Sequence, residues 1–401
     1  VYLDAVFHPN IYKEEKIFRQ EGWHYEMEDE NAPLTINGVV YNEMKGAFSS
    51  PDEVLQRVMM NSLYPDTTYG VESGGDPKDI PDLTYENFLA FHQKYYHPSN
   101  SYIYLYGNMD MAERLDYLDR EYLSHYEEKK VDSEVKLQEP FAEIKHVAVE
   151  YPIGSDENEA ENAYLTYNAT VGDTLDRELY IAFQVLDYAL CTAPGAPLKR
   201  ALLEKGIGTD IYSIYENGIK QPYFSIVSKN ADEKQEKEFV ETVEEVLGKI
   251  VKDGFDKKAL YAALSHYEFK YREADFGSTP KGLMYGLQML DSWLYDDAKP
   301  FIHVEANATF AALKKKVEEG YFEKLVKKYL IENTQKSILL LLPRKGLTEK
   351  SDKELEEKLA AYKAGLTKEK IAEIIADSKA LKEYQDSEDA EEDLRKIPLL
   401  T

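Results

Sequence analysis

Glu43 is the acidic side chain whose surroundings in the sequence call for an explanation. It lies in Asn37-Gly38-Val39-Val40-Tyr41-Asn42-Glu43-Met44-Lys45-Gly46-Ala47. At helical spacing Val39, Val40, Glu43, Met44 and Ala47 share one face, which sets the carboxylate among apolar residues. A carboxylate so placed is costly unless a cation, a metal ion or several donors match it. On residue chemistry alone a salt bridge to Lys or Arg ranks ahead of a metal. The eight histidines (His8, His24, His92, His97, His125, His146, His266 and His303) are scattered, and none has another at i+3 or i+4. His92 and His97 point in different directions on a helix, and each of the eight reads as a surface or packing residue. There is no H-E-x-x-H, H-x-x-E-H or C-x-x-C, and no G-x-S-x-G elbow or Walker-type loop. No complete metal site is therefore spelled out. Cys191, the single cysteine, excludes an intrachain disulfide and fits a reducing compartment. Its apolar neighbours Tyr188-Ala189-Leu190 mark a buried structural thiol.

The elements that must position such residues need room, and 401 residues suit two comparable units plus an appendage. An apolar content of 43% with 32 tyrosines builds real cores and excludes wholesale disorder. The formal charge of −27 argues against nucleic acid as a partner and would attract basic peptides. Most of the acidity reads as solubilising. No apolar run reaches bilayer length and no signal peptide opens the chain, so a soluble protein is expected. Val1-Tyr2-Leu3-Asp4-Ala5-Val6-Phe7 reads as the middle of a helix, and Ile397-Pro398-Leu399-Leu400-Thr401 as an apolar stretch without a stop. Both ends are expected to be cut.

The first region, 1–125, mixes helices with one strand. Ser50-Pro51-Asp52-Glu53 opens a helix that carries Val54, Leu55, Val58 and Met59 on one face. Ser73-Gly74-Gly75-Asp76-Pro77 is a turn, and Thr84 caps a helix that stops at His97-Pro98. Tyr102-Ile103-Tyr104-Leu105-Tyr106 reads as a strand, and 111–123 as a helix. A polar linker fills 126–140. The second region, 141–345, starts with strands at 142–153 and 163–170. Helices follow at 176–191 and 196–205, then strands at 209–216 and 222–229 joined by an Asn217-Gly218 turn. Helices at 233–252, 256–274 and 281–294 and two shorter ones between 306 and 332 lead into a strand at 337–342. Helix, Tyr-Tyr, Pro-Ser-Asn, strand over 91–107 is echoed by helix, Lys-Tyr, Glu-Asn-Thr, strand over 325–343, which suggests two related units. The remainder, 346–401, reads as a charged helical hairpin with a stripe of Leu355, Leu359, Tyr362 and Leu366, followed by a helix holding Ile371, Ile374 and Ile375. It is expected to pack on the preceding domain or to connect to a further one. The acidic run 386–393 reads as solvated. The fold class is α+β.

At Asn37 to Lys45 the sequence resembles the insulinase-type (pitrilysin-like) zinc metallopeptidases, in the branch that contains presequence protease and falcilysin. Val1 to Phe7, Gln20-Glu21-Gly22-Trp23, Tyr69-Gly70, Ser73-Gly74-Gly75-Asp76-Pro77 and Tyr95-Tyr96-His97-Pro98-Ser99-Asn100 also resemble that branch, in order. The second region and the hairpin match more loosely. The resemblance implies that Glu43 is the third zinc ligand, which reverses the ranking above. It implies two related insulinase-type α/β units, the first truncated, followed by the hairpin. The H-x-x-E-H that supplies two ligands and the general base is missing, so no catalytic residue is assigned in this chain. Zn2+ is implied for the full-length enzyme and none is expected bound here, since a catalytic zinc needs three protein ligands. The implied activity is a metalloendopeptidase acting on short unfolded peptides, basic ones included, and inactive without the remaining N- and C-terminal parts of the same chain. Bacterial cytoplasm or an organelle matrix would suit it. Two alternatives stay open: a non-catalytic structural or assembly subunit of the same fold, and an unrelated α+β peptide-binding module in which Glu43 pairs with Lys or Arg.

Overall fold

The computed structural model describes residues 2–397, so Val1 and the apolar ending 398–401 lie outside the described residues. The fold is α+β, with seven strands in two sheets. The small sheet pairs β1 (His24–Glu26) antiparallel with β2 (Thr35–Asn37). The large sheet holds β3 (Lys145–Ile153), β4 (Ala163–Thr170), β5 (Asp210–Glu216), β6 (Tyr223–Ala231) and β7 (Lys336–Lys345) in the order β3-β7-β4-β6-β5. β3 and β7 run parallel and every other pair is antiparallel.

The large sheet is covered on both faces, which explains why all eight residues of β4 are buried. One face meets the helices Arg177–Asp187, Glu236–Asp253, Lys257–Glu273 and Asn307–Lys316, whose Phe183, Phe239, Leu264 and Phe310 fill the main core. The other face meets the helix Pro51–Leu63 from the first region. Its Val54, Leu55 and Met59 pack with Tyr151, Tyr164, Val227, Leu339 and Leu341. Ser50 precedes that helix as expected, but its side chain makes no capping bond; Pro51 at the first turn sets the start. Thr84 and Asn87 do form a reciprocal cap at the helix Tyr85–Tyr95. Lys336 is buried at the start of β7. Its ammonium donates to Tyr167 Oη (2.8 Å) and to the carbonyls of Leu330 (3.1 Å) and Ile331 (2.9 Å), the last groups of the preceding helical turn.

Three expectations are corrected. Tyr102–Tyr106 belongs to no sheet, because no strand lies beside it among the described residues. β1 and β2 were not expected, being three residues each. The hairpin, Leu347–Ala364 and Lys368–Gln385, leans on the first region rather than on the large-sheet region alone. Leu359 and Ile374 bury Met27 and Leu34 beside β1 and β2, with Leu355, Leu366, Ile371 and Ile375 around them. Tyr362 stacks on Tyr25 at 5.2 Å, Lys363 Nζ donates to the carbonyls of Glu30 (2.9 Å) and Ala32 (2.5 Å), and Arg19 pairs with Asp377 at 2.6 Å.

Candidate functional site around Glu43

The helix Val39–Ala47 leaves β2 through Gly38, whose φ of +151° favours glycine. Space demands glycine as well: a Cβ there would lie 2.3 Å from the Gly22 carbonyl oxygen and 2.7 Å from Trp23 Cα. Asn37 fixes the joint. Its Oδ1 accepts from Gly38 N and from Asn42 Nδ2, both at 2.8 Å, and its amide donates to Glu26 Oε2 at 3.1 Å. Tyr41 N donates to the Gly22 carbonyl at 3.3 Å, and the Tyr41 ring is buried. On the same side Met44 lies against Gly74, where a Cβ would come within 2.4 Å of Sδ.

These contacts set the phase of the helix, and they correct the apolar environment expected for Glu43. The buried face carries Tyr41, with Met44 half-buried beside it; Val39 is 42% exposed and Glu43 is exposed. The carboxylate makes no ion pair or hydrogen bond among the described residues, so the Lys or Arg partner weighed above is not there either. Lys45 pairs instead with Asp352 of the hairpin at 3.3 Å. A groove of about 970 Å³ opens between this helix and the hairpin, lined by Leu34, Ile36, Tyr41, Leu355, Leu359 and Ile371. Tyr41 lines it and Glu43 does not.

Of the segments that carried the resemblance, two converge on this helix: Gly22-Trp23 under Gly38, and the Ser73–Pro77 turn under Met44. Trp23 is anchored through Nε1 to the Leu83 carbonyl (2.8 Å). The others do different work. Tyr69 Oη meets Tyr295 Oη at 2.6 Å and accepts from Lys220 N, tying the first region to the large-sheet region. Asn100 donates to the Tyr95 carbonyl (2.9 Å) and accepts from Ser133 Oγ of the 126–140 segment (2.5 Å). Phe7 packs on Tyr122 and Tyr126.

Among the described residues no three His, Cys, Asp or Glu side chains come together in a group that could hold a metal ion. Glu43 offers one exposed carboxylate, and the residues present do not make a metal centre by themselves. Burial raises the Cys191 thiol to about 12, so it stays protonated and unreactive. The glycine contacts at 22, 38 and 74 were missed in the sequence, although Asn37-Gly38 next to an acidic residue was a usable signal for a tight joint.

Residues 82–267 match the family described as peptidase M16 inactive domain, and 341–401 a family described as associated with subfamily C of the same peptidases. The chain is 46% identical over 401 residues to Protein HypA of Clostridium perfringens, covering all of this chain and 41% of that protein. It is 38% identical over 410 residues to presequence protease 1, chloroplastic/mitochondrial, of Arabidopsis thaliana, covering all of this chain and 38% of that protein. The chain thus spans about two fifths of the length of these curated relatives. The crystal structure of a protease from Helicobacter pylori has the same fold, with a TM-score of 0.59 at 16% identity over 76% of this chain and 70% of that one.

Proposed function

Since the chain belongs to the insulinase-type M16 peptidases and is presequence protease-like, we propose that it forms part of a zinc-dependent metalloendopeptidase that degrades short unfolded peptides. In this reading 1–125 is the later part of the catalytic unit and 126–140 a linker. Residues 141–345 are a second, non-catalytic unit, and 346–401 a hairpin linker. The match of 82–267 to a family described as inactive supports a non-catalytic role for much of that stretch.

The observation that carries the proposal is the state of Glu43: a carboxylate projecting into solvent with no cation partner, from a helix that Gly38, Asn37 and Met44 hold in one orientation. A freely projecting carboxylate on a fixed helix suits a ligand that completes a site with donors from elsewhere. When bound, zinc supplies an activated water for peptide hydrolysis. This chain contributes the orientation of one ligand and the packing behind it. An acidic molecule suits basic peptides as substrates, and bacterial cytoplasm or an organelle matrix suits the chemistry. No described helix is long and apolar enough to cross a membrane.

The test compares zinc content and cleavage of a basic peptide in the natural gene product and its Glu43→Gln variant. Wild type is expected to hold stoichiometric zinc and to cleave. The variant should lose zinc affinity by at least about 100-fold, beyond what removal of a supporting residue costs. A zinc-free wild type, or an unaffected variant, makes Glu43 structural and favours a non-catalytic subunit of the same fold. Residues 1–401 alone are expected to bind no zinc tightly and to cleave nothing; zinc-dependent turnover by this chain overturns that.

A further inference from the structure

Tyr102-Ile103-Tyr104-Leu105-Tyr106 has the alternation of a strand and none of its bonds. Among the described residues no backbone N–H or C=O of 102–106 makes a hydrogen bond to backbone or side chain. The run is nonetheless extended. Tyr102 packs on Trp293 at 4.6 Å, and Tyr104 and Tyr106 lie over Gly286 and Gly282 of the helix Lys281–Trp293. From Trp293 to Gly282 that helix rises about 16 Å, a span that four residue steps cover only when nearly straight. The glycines matter to this seat: a Cβ at 282 or 286 would come within 2.2 Å and 2.9 Å of the tyrosine rings. The run is therefore laid straight on a helix, with both edges of its backbone free. Unpaired backbone of this kind is a template for strand addition.

We propose that 102–106 is an inner strand of a further sheet, paired on both edges by strands from sequence N-terminal to residue 1 of the same polypeptide. The internal echo supplies the occupant. The helix, Lys-Tyr and Asn that precede β7 correspond to the helix, Lys94-Tyr95 and Asn100 that precede Tyr102. β7 sits inside its sheet, parallel to β3 on one side and antiparallel to β4 on the other. Its sheet mates β3 to β6 all come earlier in the chain, and even the last of them ends at Ala231, more than 100 residues before Lys336. Counted back by the same spacing from Tyr102, every corresponding strand falls before residue 1. The curated relatives are long enough to carry them. Apolar surface awaits such a sheet on the helices that flank the run: Phe91 is 59% exposed on Tyr85–Tyr95, and Leu115 55% on Met111–Glu121. The inference rests on the two-unit division proposed above and is independent of the metal.

Amide hydrogen exchange of 103–106 tests it, measured in this chain and in the natural gene product without substrate, with zinc determined on the same sample. In this chain the four amides should exchange at rates near those of unstructured peptide. In the natural protein they should be slowed at least 100-fold, independently of concentration. Free exchange in the natural protein overturns the proposal. So does protection that appears only with added basic peptide, which makes the strand a substrate site, or only at high concentration, which makes the occupant a second copy. Protection in a zinc-free protein keeps this inference and sinks the peptidase reading; free exchange in a zinc-loaded one does the reverse.

Discussion

Both ring nitrogens of His303 lie buried without a partner among the described residues, and the ring stacks on Tyr180 at 3.7 Å. Burial, with Arg177 nearby, lowers its pKa to about 4. Across the same ring Tyr180 Oη donates to Asp291 Oδ2 (2.7 Å), and burial raises that carboxyl to about 6. The two groups pull stability in opposite directions. The unfolded chain protonates His303 below 6.5 and the folded chain does not, so this term is lost as pH falls from 6.5 toward 4. Asp291 takes up its proton earlier in the folded state, so its term favours folding as pH falls from about 6 toward 3.8. Substituting His303→Leu removes only the first. Between pH 7 and pH 5 the variant should lose about 2 kcal/mol less stability than wild type, read from urea unfolding at both values. Equal losses would mean that His303 has found a donor or a water. Nothing in the sequence around His303 marked it, because its burial is made by residues more than a hundred positions away. Glu43 was legible only through the resemblance. Periodicity placed it on the apolar face, whereas Gly38 and its contact with Gly22 turn that face toward Tyr41 and Met44.

The strands of the large sheet were legible because burial on both faces leaves an unbroken apolar or aromatic signature, as at 163–170, which the structure returns unchanged as β4. β1 and β2 were not, because His24-Tyr25-Glu26 and Thr35-Ile36-Asn37 are too short and too polar to show a period. What holds them is the hairpin, an element whose partner the sequence did not name. Leu359 is 7% exposed and packs with Met27, Leu34 and Ile374. Its replacement by Ala should cost about 2–4 kcal/mol for a buried leucine. The loss should register far away in sequence, as faster amide exchange in 24–37, while the large sheet keeps its protection. Destabilisation confined to 347–385 would show that the small sheet stands without the hairpin.

The charge of −27 acts on the whole molecule at once. If acidity draws in basic peptides, their association rate with the natural protein should fall steeply as salt rises from about 0.05 to 0.5 M, where the screening length shrinks below the size of a side-chain contact. A rate indifferent to salt would leave the acidity with solubility alone. At this scale the two regions are less separate than the polar segment between them suggests. Gln138 is buried in that segment, bonded to Asp66 on one side and Gln221 on the other. The helix Pro51–Leu63 is rooted in the first region, yet its Val54, Leu55 and Met59 form one side of the large sheet's core. A sheet whose second face is roofed by its neighbour cannot be inherited alone. Gene fusion, fission or recombination that parted the two would leave an aggregation-prone apolar plane, so the pair must travel through evolution as one cassette.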